Sequence, residues 1–225
     1  MDPIIQTTKL TKIYHPGKNS EVRALEDVDL IVPGAGLTVI YGPSGSGKST
    51  LLALLGTLER PTSGEILLKG VPLSRYSDAG LSRLRRTTMG FIFQSFQLIP
   101  RLSAWENVAF PLIPLGISLT ERRNRALRLL EEMGVADRKD HRPEELSGGE
   151  QQRVATARAL VQDPEIIIAD EPTSNIDAEA VDQLLAIFSR FIKRGKTVIT
   201  ASHDPLIREK AHHLFYLQKG RLVSP

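Results

Sequence analysis

The sequence predicts an α/β domain with a mixed, largely parallel core sheet, an antiparallel β-subdomain and an inserted helical subdomain. A short apolar strand at residues 37–41 leads through a glycine-rich loop into a helix. A strand, a helix and a second strand follow one another over residues 166–201, the order typical of a right-handed crossover between parallel strands. Between these two regions lies a charged stretch with helical spacing.

The composition is that of an ordinary globular protein and excludes several kinds of site. The chain has 225 residues, 29 Lys and Arg, 26 Asp and Glu, and no cysteine. The lack of cysteine excludes disulfides, a cysteine-based zinc site and a cysteine nucleophile, and it fits a reducing cytosol. The net charge of +3 does not indicate nucleic-acid binding driven by bulk charge. Because no apolar run reaches ~18 residues and the first residues lack a basic and an apolar region, we expect neither a membrane span nor a signal peptide.

The first third of the chain is predicted to form strands around one helix. Residues 4–13 and 22–32 alternate apolar and polar side chains, as half-exposed strands do, and residues 65–70 are predicted to form a further strand. These segments predict an antiparallel sheet beside the main core. Small and apolar side chains predict a helix over residues 48–58.

The middle of the chain is predicted to be helical. Helical spacing with dense charge predicts a helix over residues 120–133, and a longer helix opens at residue 147 and ends near residue 163. We therefore assign residues 95–160 to a helical subdomain. Residues 1–94 and 161–225 then form the core and the β-subdomain of the same single domain.

The last third returns to strands. Apolar runs at residues 166–169 and 197–201 predict two buried strands, and a helix is predicted between them at residues 178–194. Residues 213–223 are predicted to form a closing hairpin.

A segment after the first buried strand has the spacing G-x-x-x-x-G-K-[ST] and predicts a phosphate-binding loop. Its glycines let consecutive backbone N–H groups surround a phosphate, and the helix N-terminus adds partial positive charge. Lys48 is expected to bridge the β- and γ-phosphates and Ser49 to bind Mg²⁺. The alternative, a glycine-rich turn with an exposed lysine, is disfavoured by the strand before the loop and the helix after it. The candidate residues are Gly42, Pro43, Ser44, Gly45, Ser46, Gly47, Lys48, Ser49 and Thr50.

Two carboxylates end the apolar strand at residues 166–169. The carboxyl edge of such a buried strand should lie beside the phosphate loop, where ligands bind in open α/β sheets. Asp170 is then placed to hold Mg²⁺, and Glu171 to orient or deprotonate an attacking water. The alternative is a polar strand end whose acids merely face solvent.

The segment LSGGEQ at residues 146–151 opens the long helix. It provides a second anion site from a serine hydroxyl, two glycines and a helix N-terminus, and Ser147 with Glu150 also predicts a capping box. With the phosphate loop and the acidic strand end, it makes the whole chain resemble the nucleotide-binding subunit of an ABC transporter. The resemblance implies the P-loop NTPase fold of an ABC cassette. It also implies a head-to-tail homodimer, in which Ser147, Gly148 and Gly149 of one subunit cover the ATP held by the other.

Four further residues resemble functional residues of that family. Tyr14 looks like the aromatic residue that stacks on adenine, and Gln94 resembles the glutamine that touches Mg²⁺ or water and senses the γ-phosphate. His203 resembles the switch histidine that contacts the γ-phosphate, and Asp177 occupies the position of a loop that crosses the dimer interface. The resemblance thus implies that Glu171, His203 and Gln94 are catalytic and that Ser49, Gln94 and Asp170 contact Mg²⁺. Tyr14 as a strand-face residue, Gln94 as a strand-end amide and His203 as an ordinary histidine are the alternatives.

Two segments resemble the lipoprotein-release and macrolide-export type within the family. At residues 173–177, Asn175 favours this type, although Ser174 and Ile176 depart from its usual pattern. The apolar and aromatic residues 93–112 also look like this type. In the family this region forms the groove for a cytoplasmic coupling helix of the membrane subunit. Alternatively, Trp105 and Phe110 pack inside the helical subdomain.

The resemblance implies an ATPase that uses ATP and Mg²⁺ to drive a conformational change in an integral membrane permease, for export or lipoprotein release. It implies a cytoplasmic protein held at the inner face of the membrane by the permease, with no nucleic-acid partner. Two alternatives stay open: a soluble ABC ATPase that acts on nucleic acid or ribosomes, and an ATP-dependent regulator that does not hydrolyse ATP. The first kind of relative carries long insertions or a second cassette, and the second kind loses residues such as Glu171 or His203.

Two runs of arginines are predicted to be solvated helix faces. Contact with anionic lipid headgroups is the weaker alternative. The runs consist of Arg83, Arg85 and Arg86, and of Arg122, Arg123, Arg125 and Arg128.

Overall fold

The computed structural model describes residues 3–18, 20–174 and 176–223. Their strands form one sheet of four strands and one of six. In chain order the strands are β1 (Pro3–Tyr14), β2 (Val22–Pro33), β3 (Leu37–Tyr41), β4 (Ser63–Leu68), β5 (Val71–Pro72), β6 (Met89–Ile92), β7 (Ile166–Asp170), β8 (Thr197–Ala201), β9 (His213–Gln218) and β10 (Arg221–Val223).

The helices lie between these strands and are joined by short 3-10 turns. The α-helices are α1 (Lys48–Leu55), α2 (Asp78–Thr88), α3 (Ala104–Ala109), α4 (Leu119–Glu132), α5 (Gly148–Leu160), α6 (Ala178–Lys193) and α7 (Pro205–Glu209). In the described part of the chain, no helix combines the length and the apolar character that crossing a membrane requires.

The two sheets are the antiparallel sheet and the mixed core sheet that the sequence predicts, and both predictions are confirmed. The smaller sheet has the order β2-β1-β4-β5, and all its neighbours are antiparallel. The larger has the order β10-β9-β3-β8-β7-β6, in which only the hairpin β9–β10 pairs antiparallel among the described strands. Strand β3, which leads into the phosphate loop, therefore lies inside the sheet between β8 and β9.

Helices and the second sheet bury both faces of the core sheet. One apolar cluster joins α1 to the antiparallel sheet, and another packs Leu184, Phe188 and Phe191 of α6 against the opposite face. As a result β8 is buried along its whole length, as expected for a strand covered on both sides.

A third apolar cluster lies within the middle of the chain. It joins α3, α4 and α5, and the side chain of Trp105 packs against it. This cluster falls within the segment 95–160 that the sequence assigns to a helical subdomain, with Val161 and Ile187 added from outside it.

Some predicted ends are wrong by a few residues. α1 ends at Leu55 instead of residue 58, because Thr57 has a left-handed backbone with φ of 57°, and the amides of Thr57 and Leu58 donate back to the carbonyl oxygens of Leu54 and Ala53. β6 ends at Ile92, so Gln94 follows its strand instead of ending it. The short helices α3 and α7 are not predicted by the sequence, although each has a good N-cap, Ser103 or Asp204.

Candidate nucleotide site

The loop between β3 and α1 has a backbone that requires glycine at two positions. Gly42 and Gly47 have φ angles of 153° and 103°. A Cβ at Gly42 would lie 2.0 Å from the carbonyl oxygen of Leu217, and one at Gly47 would lie 2.4 Å from that of Ala24. The Gly220 amide also donates to the carbonyl oxygen of Ser46 at 2.9 Å. The loop is therefore packed tightly between β2 and the β9–β10 hairpin.

The ammonium group of Lys48 lies inside this loop. It donates to the carbonyl oxygens of Gly42 at 2.9 Å and Pro43 at 3.2 Å. It also lies 3.7 Å from Oε1 of Glu171, and both side chains are largely buried. The sequence places these two residues 123 positions apart (171 − 48), and the parallel pairing of β3 and β7 with β8 brings them together.

Two carboxylates lie at the carboxyl end of β7, next to the loop. Burial raises the pKa of Asp170, with a smaller contribution from the charge of Glu171, while a hydrogen bond with Ser49 and the charge of Lys48 oppose the rise. The Glu171 backbone is left-handed, with φ of 44°. Its amide donates to the carbonyl oxygen of Ala201 in β8 at 2.9 Å. This conformation is uncommon for a residue with a side chain and is a frequent feature of functional sites.

His203 follows β8 and lies over Glu171. Its Nδ1 is 2.9 Å from Oε2 of Glu171, although the angle is not that of a hydrogen bond, and Oε2 has no hydrogen-bond partner among the described residues. The imidazole is 71% exposed, whereas the carboxylate is 12% exposed. Because the imidazole is exposed, it can change position when a ligand binds, and the packing of the core need not change.

These groups line one cleft of about 710 Å³. It brings together Tyr14, Gln94, Glu171, His203 and most of the phosphate loop. Ser46 is buried, and neither Ser46 nor Asp170 is among the residues that line the cleft. The predicted residues that line the cleft are Tyr14, Gly42, Pro43, Ser44, Gly45, Gly47, Lys48, Ser49, Thr50, Gln94, Glu171 and His203.

Tyr14 ends β1 at the rim of the cleft and is held by polar contacts. Its hydroxyl donates to the carboxylate of Glu59 at 2.9 Å, and the ammonium group of Lys12 lies 5.0 Å from the ring centre. Burial raises the pKa of Tyr14, a hydrogen bond with Thr50 opposes the rise, and Glu59 adds to it. The ring is therefore fixed in orientation while part of it stays accessible.

The donor set beside the loop fits a hard divalent cation. Oδ1 of Asp170 is buried and has no hydrogen-bond partner among the described residues, and the Ser49 hydroxyl bonds to the same carboxylate. No three His, Asp or Glu side chains of the described chain converge on one point. Such a sparse oxygen set suits Mg²⁺, which proteins usually bind through one or two carboxylates together with phosphate oxygens.

The segment LSGGEQ lies at the start of α5. Ser147 caps α5, and its capping box with Glu150 is confirmed. Hydrogen bonds from the Ser147 backbone and from Arg138 lower the pKa of Glu150 to about 2. A Cβ at Gly149 would lie 3.6 Å from that of Ala180, whose amide donates to Asp177 at 2.9 Å.

The start of α5 and the start of α6 are therefore neighbours. Asp177, which caps α6, thus lies close to the segment LSGGEQ. Ser147, Gly148, Gly149 and Asp177 are not among the residues that line the cleft. Asn175, on which part of the subfamily prediction depends, lies outside the described residues.

Beside the cleft, the aromatic region after Gln94 divides into a buried and an exposed part. Trp105 packs on the helical core and lies 5.5 Å from the guanidinium of Arg123. Phe110 is 46% exposed and lines a groove of about 390 Å³ with Phe93 and Pro111. The alternative that both aromatic residues pack inside the helical subdomain is thus right for Trp105 and wrong for Phe110.

Several residues of the cleft are not predicted by the sequence. Glu59 and Lys12 fix Tyr14, and Val22 and Arg23 form part of the wall. No sequence signal could identify Glu59, since it lies 45 residues from Tyr14 outside any motif.

Comparisons with known proteins agree with this geometry. The family model described as ABC transporter matches residues 25–174. An uncharacterised ABC transporter ATP-binding protein, YvrO of Bacillus subtilis, is 43% identical over 98% of this chain and 96% of its own length. The macrolide export ATP-binding/permease protein MacB of Hyphomonas neptunium is 42% identical over 99% of this chain, which spans 34% of that protein.

A solved structure gives the same fold. The ATP-binding cassette MJ0796, in a dimeric post-hydrolysis state with ADP and phosphate, has a TM-score of 0.92 and 38% identity, over 98% of this chain and 97% of its own. The predicted cassette fold is thereby confirmed. With a family model that matches two thirds of the sequence and relatives that match nearly all of it, this chain belongs to the family of ABC transporter ATP-binding proteins.

Proposed function

We propose that this chain hydrolyses ATP as a homodimer and drives a membrane permease that exports a substrate or releases lipoproteins. The observation that carries the proposal is the cleft itself, in which the phosphate loop, Gln94, Glu171 and His203 meet. An ATP-binding regulator would not need a buried carboxylate beside the phosphate loop. The family of the chain supports ATP binding, and the geometry of Glu171 favours hydrolysis.

The chemistry follows from the position of each group. The amides of the loop and Lys48 would hold the β- and γ-phosphates, and Tyr14 would stack on adenine. Glu171 would orient the attacking water and accept its proton, while His203 and Gln94 contact the γ-phosphate and the water. Ser49, Asp170 and Gln94 would hold Mg²⁺, which neutralises charge that develops on the phosphates.

The separation between the cleft and the residues at the starts of α5 and α6 supports a dimer. Ser147, Gly148 and Gly149 lie at the start of α5, where they would form an anion site, but they do not line the cleft of their own chain. In a head-to-tail pair this site of one subunit would meet the γ-phosphate bound by the other, with Asp177 between the subunits. The related cassette MJ0796 has been solved as a dimer, which supports a dimer of this chain.

The groove beside the cleft supports a permease partner. Its lining includes Phe91 of β6, Phe93, Phe110 and Pro111. An exposed apolar groove of this kind suits an apolar helix of another protein. The MacB relatives are named as ATP-binding and permease proteins, which favours an export permease at the inner face of the membrane as the partner of this chain.

The substitution Glu171→Gln tests the ATPase assignment. We expect it to keep ATP binding and to lower phosphate release by about 100-fold or more, because general-base catalysis contributes roughly 10²- to 10⁴-fold. Phosphate release with ATP and Mg²⁺ gives the rate, and a fluorescent ATP analogue gives the affinity. The matched control is Glu165→Gln, because Glu165 precedes the opposite end of the same strand and pairs with Lys69. Normal turnover in Glu171→Gln would remove Glu171 from the mechanism.

Purification from native membranes tests the partner. The tagged chain is extracted in detergent, and the proteins that accompany it are identified by mass spectrometry. A permease with few membrane spans and a large extracytoplasmic domain supports export or lipoprotein release. A many-span permease of the importer type contradicts the export assignment, and ribosomes or DNA in place of a permease contradict the transport function.

A further inference from the structure

Arg158 joins α5 to the segment that follows Gln94. Its Nη1 donates to the carbonyl oxygen of Gln97 at 2.5 Å, and its Nη2 donates to that of Phe96 at 2.6 Å. A guanidinium suits this contact because its N–H groups point in fixed, divergent directions. Both bonds go to main-chain atoms, so Arg158 holds the path of the chain and does not select a side chain.

The backbone that Arg158 holds is unusual. Phe96 has a φ angle of 60° and Gln97 one of 52°, both in the left-handed region that residues with side chains seldom adopt. Two such residues in succession persist only where other contacts hold them. The Gln97 amide donates to the Ser95 carbonyl at 2.6 Å, which closes a tight turn just after Gln94. Arg158 thus bonds to both residues of a conformation that the chain would not keep by itself.

The charge and the surroundings of Arg158 make this contact strong. Burial lowers the pKa of Arg158 to about 10, so the guanidinium stays protonated at neutral pH and both hydrogen bonds are charge-assisted. The next part of the loop is held by Asn107, which is fully buried and bonds to the main chain of Ile99 and Leu102. The loop after Gln94 is therefore held from both ends.

We infer that Arg158 is a positioning residue that fixes Gln94 in the nucleotide cleft by holding the carbonyls of Phe96 and Gln97. The inference rests on the proposed ATPase function. Arg158 does not line the cleft, so its effect must pass through the loop. It lies on the same helix as Ser147, about 16 Å further along the axis. The position of Gln94 is thereby tied to the helix that carries the second anion site.

The substitution Arg158→Met tests this role because it removes the guanidinium and keeps much of the aliphatic stem. We expect kcat for phosphate release to fall about 10- to 100-fold, since a small displacement of a catalytic group has effects of this size. The KM for ATP should change by less than about twofold, because the phosphate loop is untouched. Amide hydrogen exchange over residues 95–98 should become faster. If Arg158 only stabilised the fold, the substitution would lower the stability of the protein, but it would not lower kcat while KM stays constant.

Arg85→Met is the matched control. Arg85 also donates to a main-chain carbonyl at 2.6 Å, but it lies on α2 and its bond goes to Thr57, after α1, instead of to the turn after Gln94. We expect it to leave kcat and the exchange of residues 95–98 unchanged. Arg158→Lys keeps the charge but cannot reach both carbonyls, so an intermediate kcat is expected, and this variant replaces Arg158→Met if the latter does not fold.

The outcomes separate the inference from the proposed function. If the wild type hydrolyses ATP and a folded Arg158 variant keeps both its kcat and its exchange rates, the inference is overturned and the ATPase function stands. If the wild type hydrolyses no ATP, the proposed function fails and the inference fails with it.

Discussion

At the scale of single residues, the site depends on contacts that motifs do not contain. The phosphate loop and the acids of β7 could be predicted because each is a local pattern joined to one strand. Glu59 and Arg158 could not, because their contacts with Tyr14 and Gln97 arise only when distant segments fold together. The left-handed backbone of Glu171 could not be predicted either, since no local pattern in the sequence requires it.

Tyr14 gives a prediction that separates stacking from a role on the strand face. Removal of the ring in Tyr14→Ala should weaken ATP binding by roughly 5- to 150-fold, the equivalent of the ~1 to 3 kcal/mol that base stacking provides. Tyr14→Phe loses the bond to Glu59 but keeps the ring, so its affinity should stay close to that of the wild type. Isothermal titration with an ATP analogue gives both values. Equal affinities in all three proteins would show that Tyr14 does not stack on the nucleotide.

Glu150 gives a prediction about pH. Its pKa is lowered from 4.5 to about 2 in the folded chain, so the unfolded chain binds this proton more readily. The resulting stabilisation is complete above about pH 4.5 and is lost as the pH falls towards 2. The difference in free energy of unfolding between the wild type and Glu150→Gln should therefore be largest near neutral pH and shrink below pH 5. Urea unfolding at several pH values measures it, with Glu131→Gln, an exposed acid of α4, as control.

At the scale of elements, α5 is placed by very close packing on the core sheet. Gly90 of β6 lies under the last turn of α5, where an added Cβ would be 2.2 Å from the carbonyl oxygen of Ala159. Because backbone atoms form this contact, no side chain can move aside. The position of Arg158, one residue before Ala159, is fixed by the same contact.

Gly90→Ala should therefore destabilise the protein. We expect the free energy of unfolding to fall by about 1 to 3 kcal/mol, the usual result of overpacking a core. Gly34→Ala is the control, since a Cβ at Gly34 meets nothing within 4 Å. Chemical denaturation compares the two, and equal stability would mean that α5 can shift away from β6 without cost.

The order of the elements was predictable, but several of their ends were not. Apolar patterns predict β3, β7, β8 and α6 well because these elements are long or fully buried. α1 ends early because Thr57 adopts a left-handed backbone, which the pattern of small and apolar residues does not predict. Helical spacing does not predict α3 because the helix has only six residues, although Ser103 and Glu106 have the spacing of its capping box.

At the scale of the whole molecule, the proposed dimer needs two anion sites to face each other across two chains. The Glu171→Gln protein should form this dimer with ATP and not with ADP. Because it does not hydrolyse ATP, the γ-phosphate stays in place at both nucleotide sites between the two chains. Light scattering after gel filtration should then show a doubling of the 24.9 kDa mass of the chain.

The substitution Ser147→Arg in the same background tests the interface. A bulky side chain at the start of α5 should prevent the doubling of mass, while each monomer still binds ATP through its own loop. A dimer that persists with Ser147→Arg would mean that the subunits meet through another surface.

The place of β3 in the sheet also determines when the nucleotide site can form during synthesis. β3 ends at Tyr41, whereas its two neighbours, β8 and β9, begin at Thr197 and His213. At translation rates of about 5 to 20 residues per second, the phosphate loop is made roughly 8 to 30 seconds before these strands. Until then β3 lacks both of its neighbouring strands, and the loop lacks the hairpin that packs against Gly42. A growing chain therefore cannot be stabilised by the ATP of the cell, and binding of the nucleotide reports that nearly the whole domain has been translated.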